Sequence, residues 1–167
     1  MKDIKLPPED ECGIIPLLEE DLSPANRDRI SKFSRFMFAY DLLQDYWVRP
    51  KLHRADLRIH RKILKEAVFH ITNCNILDIG CGTGRLIDYM DKKNSYTGID
   101  LSYQLLKQAV KRAKKKGFKQ HCIIEGNAEQ LIFKDNSFDL VLADTSLHMI
   151  PDHRSCIHQI NRVLKNE

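Results

Sequence analysis

Three glycines fall at alternate positions in Leu77-Asp78-Ile79-Gly80-Cys81-Gly82-Thr83-Gly84-Arg85, directly after a short apolar run. Glycine tolerates positive φ and lets a ligand approach the backbone without a Cβ in the way. A helix starting after such a loop would offer unpaired N–H groups and a partial positive charge. The dinucleotide pattern G-x-G-x-x-G needs its third glycine three residues after the second, and that position is Arg85. Asp78, at the carboxyl end of the apolar run, also disfavours a pyrophosphate and suits a ligand with an ammonium or sulfonium group. Asp100 closes the next apolar run, 20 residues after Gly80. An acid there can accept from both hydroxyls of a ribose, or else it is a turn or helix-capping carboxylate.

These residues need a frame, and the hydrophobic pattern supplies one. Ile76-Leu77-Asp78-Ile79 reads as a buried strand, and Arg85 to Lys92 as a helix with Leu86, Ile87 and Met90 on its inner face. Tyr96 to Ile99 reads as a second strand, followed by a helix capped by Ser102 and ended by Gly117. His121 to Ile124 is a third strand, with a helical turn at Ala128–Leu131 after it. Phe138 to Ala143 is a fourth strand, and Asp152 to Leu164 a final helix. The alternation predicts a Rossmann-like α/β fold, a parallel sheet with helices on both faces. In that fold the loop Gly126-Asn127-Ala128-Glu129 would sit beside the adenine of a nucleoside, where a side-chain oxygen could accept from the exocyclic amine.

Ahead of this half-domain, residues 71–167, two helices are expected within 23–70. Ser23 caps the first and Pro24 opens it, and Ile30, Phe33, Phe36, Met37, Tyr40 and Leu43 form its apolar stripe. The second runs from about Leu52 to Phe69, with Ile63, Leu64, Ala67 and Val68 turned inward. Residues 1–22, with three prolines and no periodicity, read as a flexible acidic arm.

Hydrophobic residues make up 43% and charged residues 30%, enough to bury a core. No run reaches the roughly 20 apolar residues of a membrane span, and the N-terminus lacks a secretory apolar core, so the expected location is cytoplasmic. Five scattered cysteines, Cys12, Cys74, Cys81, Cys122 and Cys156, fit reduced thiols. His153, Cys156 and His158 lie close in sequence, but no second ligand cluster supports a tetrahedral metal site, and no metal is expected. The arm carries two lysines against seven acids, a balance of −5 that leaves +9 on the rest of a +4 chain. The basic stretch Lys107–Lys119 could mark nucleic acid binding. It reads better as a solvated helix face, since no aromatic residues interleave it.

In order and spacing these motifs resemble the class I S-adenosylmethionine (SAM)-dependent methyltransferases, specifically the small-molecule group that includes the quinone-biosynthesis enzymes. The resemblance covers residues 75–166 and is carried by Leu77 to Arg85, Gly98-Ile99-Asp100-Leu101-Ser102, Gly126 to Leu131, Asn136-Ser137-Phe138-Asp139, Leu147-His148-Met149-Ile150 and Arg162-Val163-Leu164-Lys165. It implies that Asp78 and the loop Gly80, Cys81, Gly82, Thr83 and Gly84 hold the methionyl end of SAM. Asp100 would bind the ribose, Leu101 would pack on the adenine, and Asn127 and Ala128 would meet the adenine edge. Ala143 and Asp144 would line the path to the methyl group. Leu147 and His148 lie nearby, and His148 is the candidate base. Tyr40, Tyr46 and Trp47 would form either a lid or a core cluster. Asn127 stands where the family often has Asp, and Met149 where it often has a second histidine.

The family pattern continues past Leu164-Lys165, and its strand order would be 3-2-1-4-5-7-6, of which this chain supplies strands 1–4. The expectation is a C-terminally truncated fold, whose apolar fourth strand is an edge open to a completing partner or a second copy. The favoured function is methyl transfer from SAM to a small-molecule acceptor that the sequence does not identify. A non-catalytic SAM-binding or interaction module is the alternative. A nicotinamide-dependent oxidoreductase is disfavoured by Asp78 and Arg85.

Overall fold

The computed structural model describes residues 6–18, 22–34 and 56–166. Five parallel strands form one sheet: β1 (Ile15–Pro16), β2 (Asn75–Ile79), β3 (Ser95–Asp100), β4 (His121–Glu125) and β5 (Leu140–Leu142), in the order β1-β4-β3-β2-β5. The helices are α1 (Pro24–Ser34), α2 (Leu57–Val68), α3 (Tyr103–Lys116) and α4 (His153–Val163). Two 3-10 turns, Arg85–Asp88 and Leu147–Met149, complete the elements among the described residues. The four expected strands thus take the expected order, and β1 adds a fifth beside β4.

Strand alternation divides the core into two layers. Ile76, Tyr96 and Ile123 point to one face, where Leu106, Ala109, Val110 and Ala113 of α3 and Val68 of α2 cover them. Leu77, Ile79, Ile99 and Ile124 point to the other, against Cys156 and Val163 of α4. The spacing of the buried residues on α3 makes its inner face, and Gly117, at φ 84°, ends the helix in the left-handed region. The basic residues of α3 fall on the opposite face: Lys111, Lys114, Lys115 and Lys116 are exposed.

Several expectations need correction. Part of the acidic arm is ordered: Ile14 and Ile15 are buried in opposite core layers, Leu17 donates to the Glu125 carbonyl at 2.8 Å, and the Asp10 carboxylate accepts from the amides of Cys12 and Ile14. Two apolar residues were too few to register as a period, yet the open edge of β4 is enough to recruit them. The helix expected over Arg85–Lys92 is a four-residue 3-10 turn, although Leu86, Ile87 and Met90 are buried as foreseen. The turn around Ala128–Leu131 is not helical. On α2, Ile63 is 57% exposed and Ala67 is exposed, while Val68 is buried and Leu64 half-buried. Of the α1 stripe, Phe36, Met37, Tyr40 and Leu43 lie outside the described residues, as do Tyr46 and Trp47.

After α4 the chain turns back beside β5: Leu164 makes a parallel bridge with Phe138, and Lys165 donates to the Phe138 carbonyl at 2.9 Å. Beyond that bridge, β5 pairs only with β2 among the described residues.

Candidate cofactor-binding site

A cavity of about 150 Å³ opens at the carboxyl ends of β2, β3 and β4, where open α/β sheets bind their ligands. Its wall includes Asp78, Gly80, Cys81, Gly82 and Thr83 from the first loop, Asp100 and Leu101 after β3, and Asn127 and Ala128 after β4. Asp144 closes it from the β5 side. Gly84 and Ala143, two further expected residues, are not part of the wall. Gly84 is buried at φ 72°, where an added Cβ would lie 3.0 Å from Ala109 Cβ on α3, so its role is to seat the loop on that helix. Ala143 packs in the α4-side core.

The loop is closed on itself. Gly80 and Cys81 donate their amides to the Ile99 carbonyl at 2.8 and 3.1 Å. Gly82 donates to Asp100 Oδ2 at 2.9 Å, and Gly84 to the Cys81 carbonyl at 2.8 Å. With these N–H groups engaged, the loop does not present the row of donors that a pyrophosphate requires. Gly80, at φ 64°, also has no room for a Cβ, which would fall 2.5 Å from Ser146 Cβ. Ser146 in turn donates to the Ile79 carbonyl at 2.6 Å and so ties the β5 loop to the end of β2.

Acids dominate the floor. Asp78 is 2% exposed, and burial raises its carboxyl to about 7 against the Tyr96 hydrogen bond, which lowers it. The carboxylates of Asp144 and Asp100 push it further up. Burial raises Asp100 as well, against hydrogen bonds from the amides of Ser102 and Gly82. Burial holds the Cys81 thiol well above its ordinary range, so Cys81 is neutral there. A cavity walled by three acids is complementary to a cation that also brings hydroxyl donors.

Several wall residues are not among those expected at the site. Asn26 and Ile30 of α1 line the cavity, as do Ser146, Met149 and Ile150. Tyr96 serves the site from below, donating to Asp78 Oδ2 at 2.8 Å. Period-two alternation on β3 already puts Tyr96, Gly98 and Asp100 on one face and could have flagged it. His60 of α2 pairs with Asp144, Nε2 to Oδ1 at 3.0 Å. His148 takes a different place from the expected one: it is exposed on its 3-10 turn and outside the wall, because that turn directs Met149 to the cavity. Likewise His153 and His158 are exposed while Cys156 is buried, so the three do not converge.

The methyltransferase-domain family model matches residues 77–167, more than half of the chain. The chain belongs to the methyltransferase-domain family. It is 34% identical over 95 residues to a demethylmenaquinone methyltransferase of Listeria welshimeri, a match that covers 54% of this chain and 40% of the relative. The chain therefore spans about 40% of the length of the curated relatives it matches. Among solved structures, a putative methyltransferase of Bacillus halodurans is 26% identical with a TM-score of 0.57, covering 63% of this chain and 46% of that one. A [4+2]-cyclase is 27% identical with a TM-score of 0.58, covering 64% and 41%. No helix among the described residues of this family member is long and apolar enough to cross a membrane.

Proposed function

We propose that the chain binds SAM in this cavity and transfers its methyl group to a small-molecule acceptor of quinone-like, apolar ring chemistry. The observation that carries the cofactor reading is the grouping of Asp78, Asp100 and Asp144 around one cavity whose glycine loop has its amides engaged. That chemistry fits a sulfonium-ammonium ligand with a ribose and does not fit a pyrophosphate. The quinone-like acceptor is suggested by the names of the Listeria and Bacillus relatives.

Each residue has a defined task under this reading. Asp78 faces the cationic methionyl end. Each Asp100 oxygen accepts one backbone amide and keeps a second lone pair for a ribose hydroxyl. Leu101, Ile99 and Ala128 give the base an apolar bed, and Met149 and Ile150 restrict water near the Asp144 side. Bound SAM supplies an already activated methyl group. The protein aligns acceptor and donor and excludes water. A base is needed only for an acceptor that arrives protonated.

The second reading, a SAM-binding module without methyl transfer, draws on the position of His148 outside the cavity wall and on the cyclase among the structural relatives, since fold does not dictate reaction. Calorimetric titration of the purified chain with SAM, using Asp100→Ala as control, tests the cofactor. Methyl transfer from labelled SAM to a demethylated quinone then separates the readings. Binding without transfer supports the second, and no binding by folded protein overturns both. The same proposal includes a completing strand, from a partner or a second copy, on the edge of β5 beyond Phe138. A monomer at high concentration by light scattering counts against the second copy.

A further inference from the structure

Asn26 is 1% exposed and forms part of the cavity wall from the first turn of α1. Its Nδ2 donates to Glu129 Oε2 at 3.1 Å. A carboxylate only accepts, so Glu129 fixes which way the Asn26 amide is turned. The other end of that amide, Oδ1, is buried and has no hydrogen-bond partner among the described residues. A buried carbonyl oxygen left without a donor is unfavourable and uncommon in folded proteins.

The neighbouring acceptors are engaged. Asn127 Oδ1 accepts from the Glu129 amide at 3.0 Å. Glu129 Oε1 accepts from the Asp152 amide at 3.0 Å, and its Oε2 also faces Asn127 Nδ2 at 3.4 Å. Asn127 Oδ1 thus already has one donor from its own loop, whereas Asn26 Oδ1, on a different element, has none among the described residues.

We propose that Asn26 Oδ1 accepts from the exocyclic amine of the cofactor's adenine, and so makes the site selective for a 6-amino over a 6-oxo purine. This rests on the SAM reading above. An amine brings the donor that Oδ1 lacks. A 6-oxo purine would set a second carbonyl oxygen against it, which is repulsive. Glu129 acts as a positioning residue, holding the amide in the orientation that reads the amine.

Calorimetry on the full chain with two stable ligands, S-adenosyl-L-homocysteine and S-inosyl-L-homocysteine, tests this without any turnover. The wild type is expected to prefer the adenosyl ligand by about tenfold or more, the scale of one buried hydrogen bond plus the avoided repulsion. Asn26→Ala should weaken the adenosyl ligand by about tenfold and leave the inosyl ligand nearly unchanged, collapsing the preference. Its unchanged inosyl affinity also shows that the variant is folded. Glu129→Gln gives an independent arm: a glutamine can donate to Asn26 Oδ1 and let the amide turn over, so the preference should shrink or reverse. Equal loss of both ligands in Asn26→Ala, or an intact preference in both variants, overturns the assignment and leaves the SAM reading standing. A wild type that binds neither ligand overturns both.

Discussion

Tyr96 Oη donates to Asp78 Oδ2 at 2.8 Å, across the space that Gly98 leaves on β3. Gly98 pairs with Asp78 in register, and a Cβ on it would lie 2.8 Å from Cys81 Sγ and 3.0 Å from Tyr96 Oη. A tyrosine, a missing side chain and a carboxyl group thus form one unit beneath the cavity. The unit holds a carboxylate where burial alone would keep it protonated.

The first prediction concerns stability and pH. Asp78 titrates at about 7 in the folded chain and near the ordinary carboxylate value when unfolded. Between those values the folded state holds the extra proton, so stability falls as pH rises through the window, by about 1.4 kcal/mol per unit. Asp78→Asn removes the buried charge and keeps an acceptor for Tyr96. Thermal melts of the empty chain should show the variant above the wild type at pH 8, the gap narrowing towards pH 4. A variant that melts lower throughout would count against it.

The same carboxyl should make cofactor binding pH-dependent. A cationic ligand is held by the ionised form, so SAM affinity should rise about tenfold per unit below pH 7 and level off above it. Binding should release about half a proton at neutral pH and close to one a unit or more lower, seen as a dependence of the calorimetric heat on the buffer. Asp78→Asn should abolish both the slope and most of the affinity.

Gly98→Ala should be severe although the residue is not part of the cavity wall. The methyl group has to displace Cys81 or Tyr96, both of them buried, so a loss of about 1–3 kcal/mol is expected. Thermal unfolding reads that loss. SAM titration should show weakened binding as Asp78 shifts.

His60 joins α2 to the β5 loop through Asp144. His60→Ala should raise hydrogen exchange along α2 without changing that of β2, β3 and β4, because the strands are held by their own ladders. Uniform protection in the variant would show that the contact does not hold the helix. By contrast, His148→Ala should leave turnover within about twofold of the wild type, because His148 is exposed and outside the cavity wall. A rate falling tenfold or more would bring His148 back as the base.

The frame of this site was legible because its signals are local. Apolar runs ending in glycine mark β2, an acid at the end of β3 marks the β3 side of the cavity, and alternation places the four principal strands. The misses share a different character. Ile14 and Ile15 are too short a run to show a period, yet their segment adds the strand Ile15–Pro16 on the open edge of β4. Ile63 was placed inward by helical spacing, whereas the sheet underneath accommodates only Val68 and part of Leu64.

What the sequence determined by itself is therefore the order of elements, the parallel sheet and the acid-and-glycine character of its carboxyl end, since each depends on residues within a few positions of one another. The tertiary structure decided which side chains meet there. Asn26 reaches a loop more than 100 residues further on, His60 reaches Asp144, and a one-turn change of direction leaves Met149 in the wall and His148 outside it. Contacts of that kind are set by how helices dock on the sheet, through shape and burial summed over many residues, and no spacing in the chain encodes them.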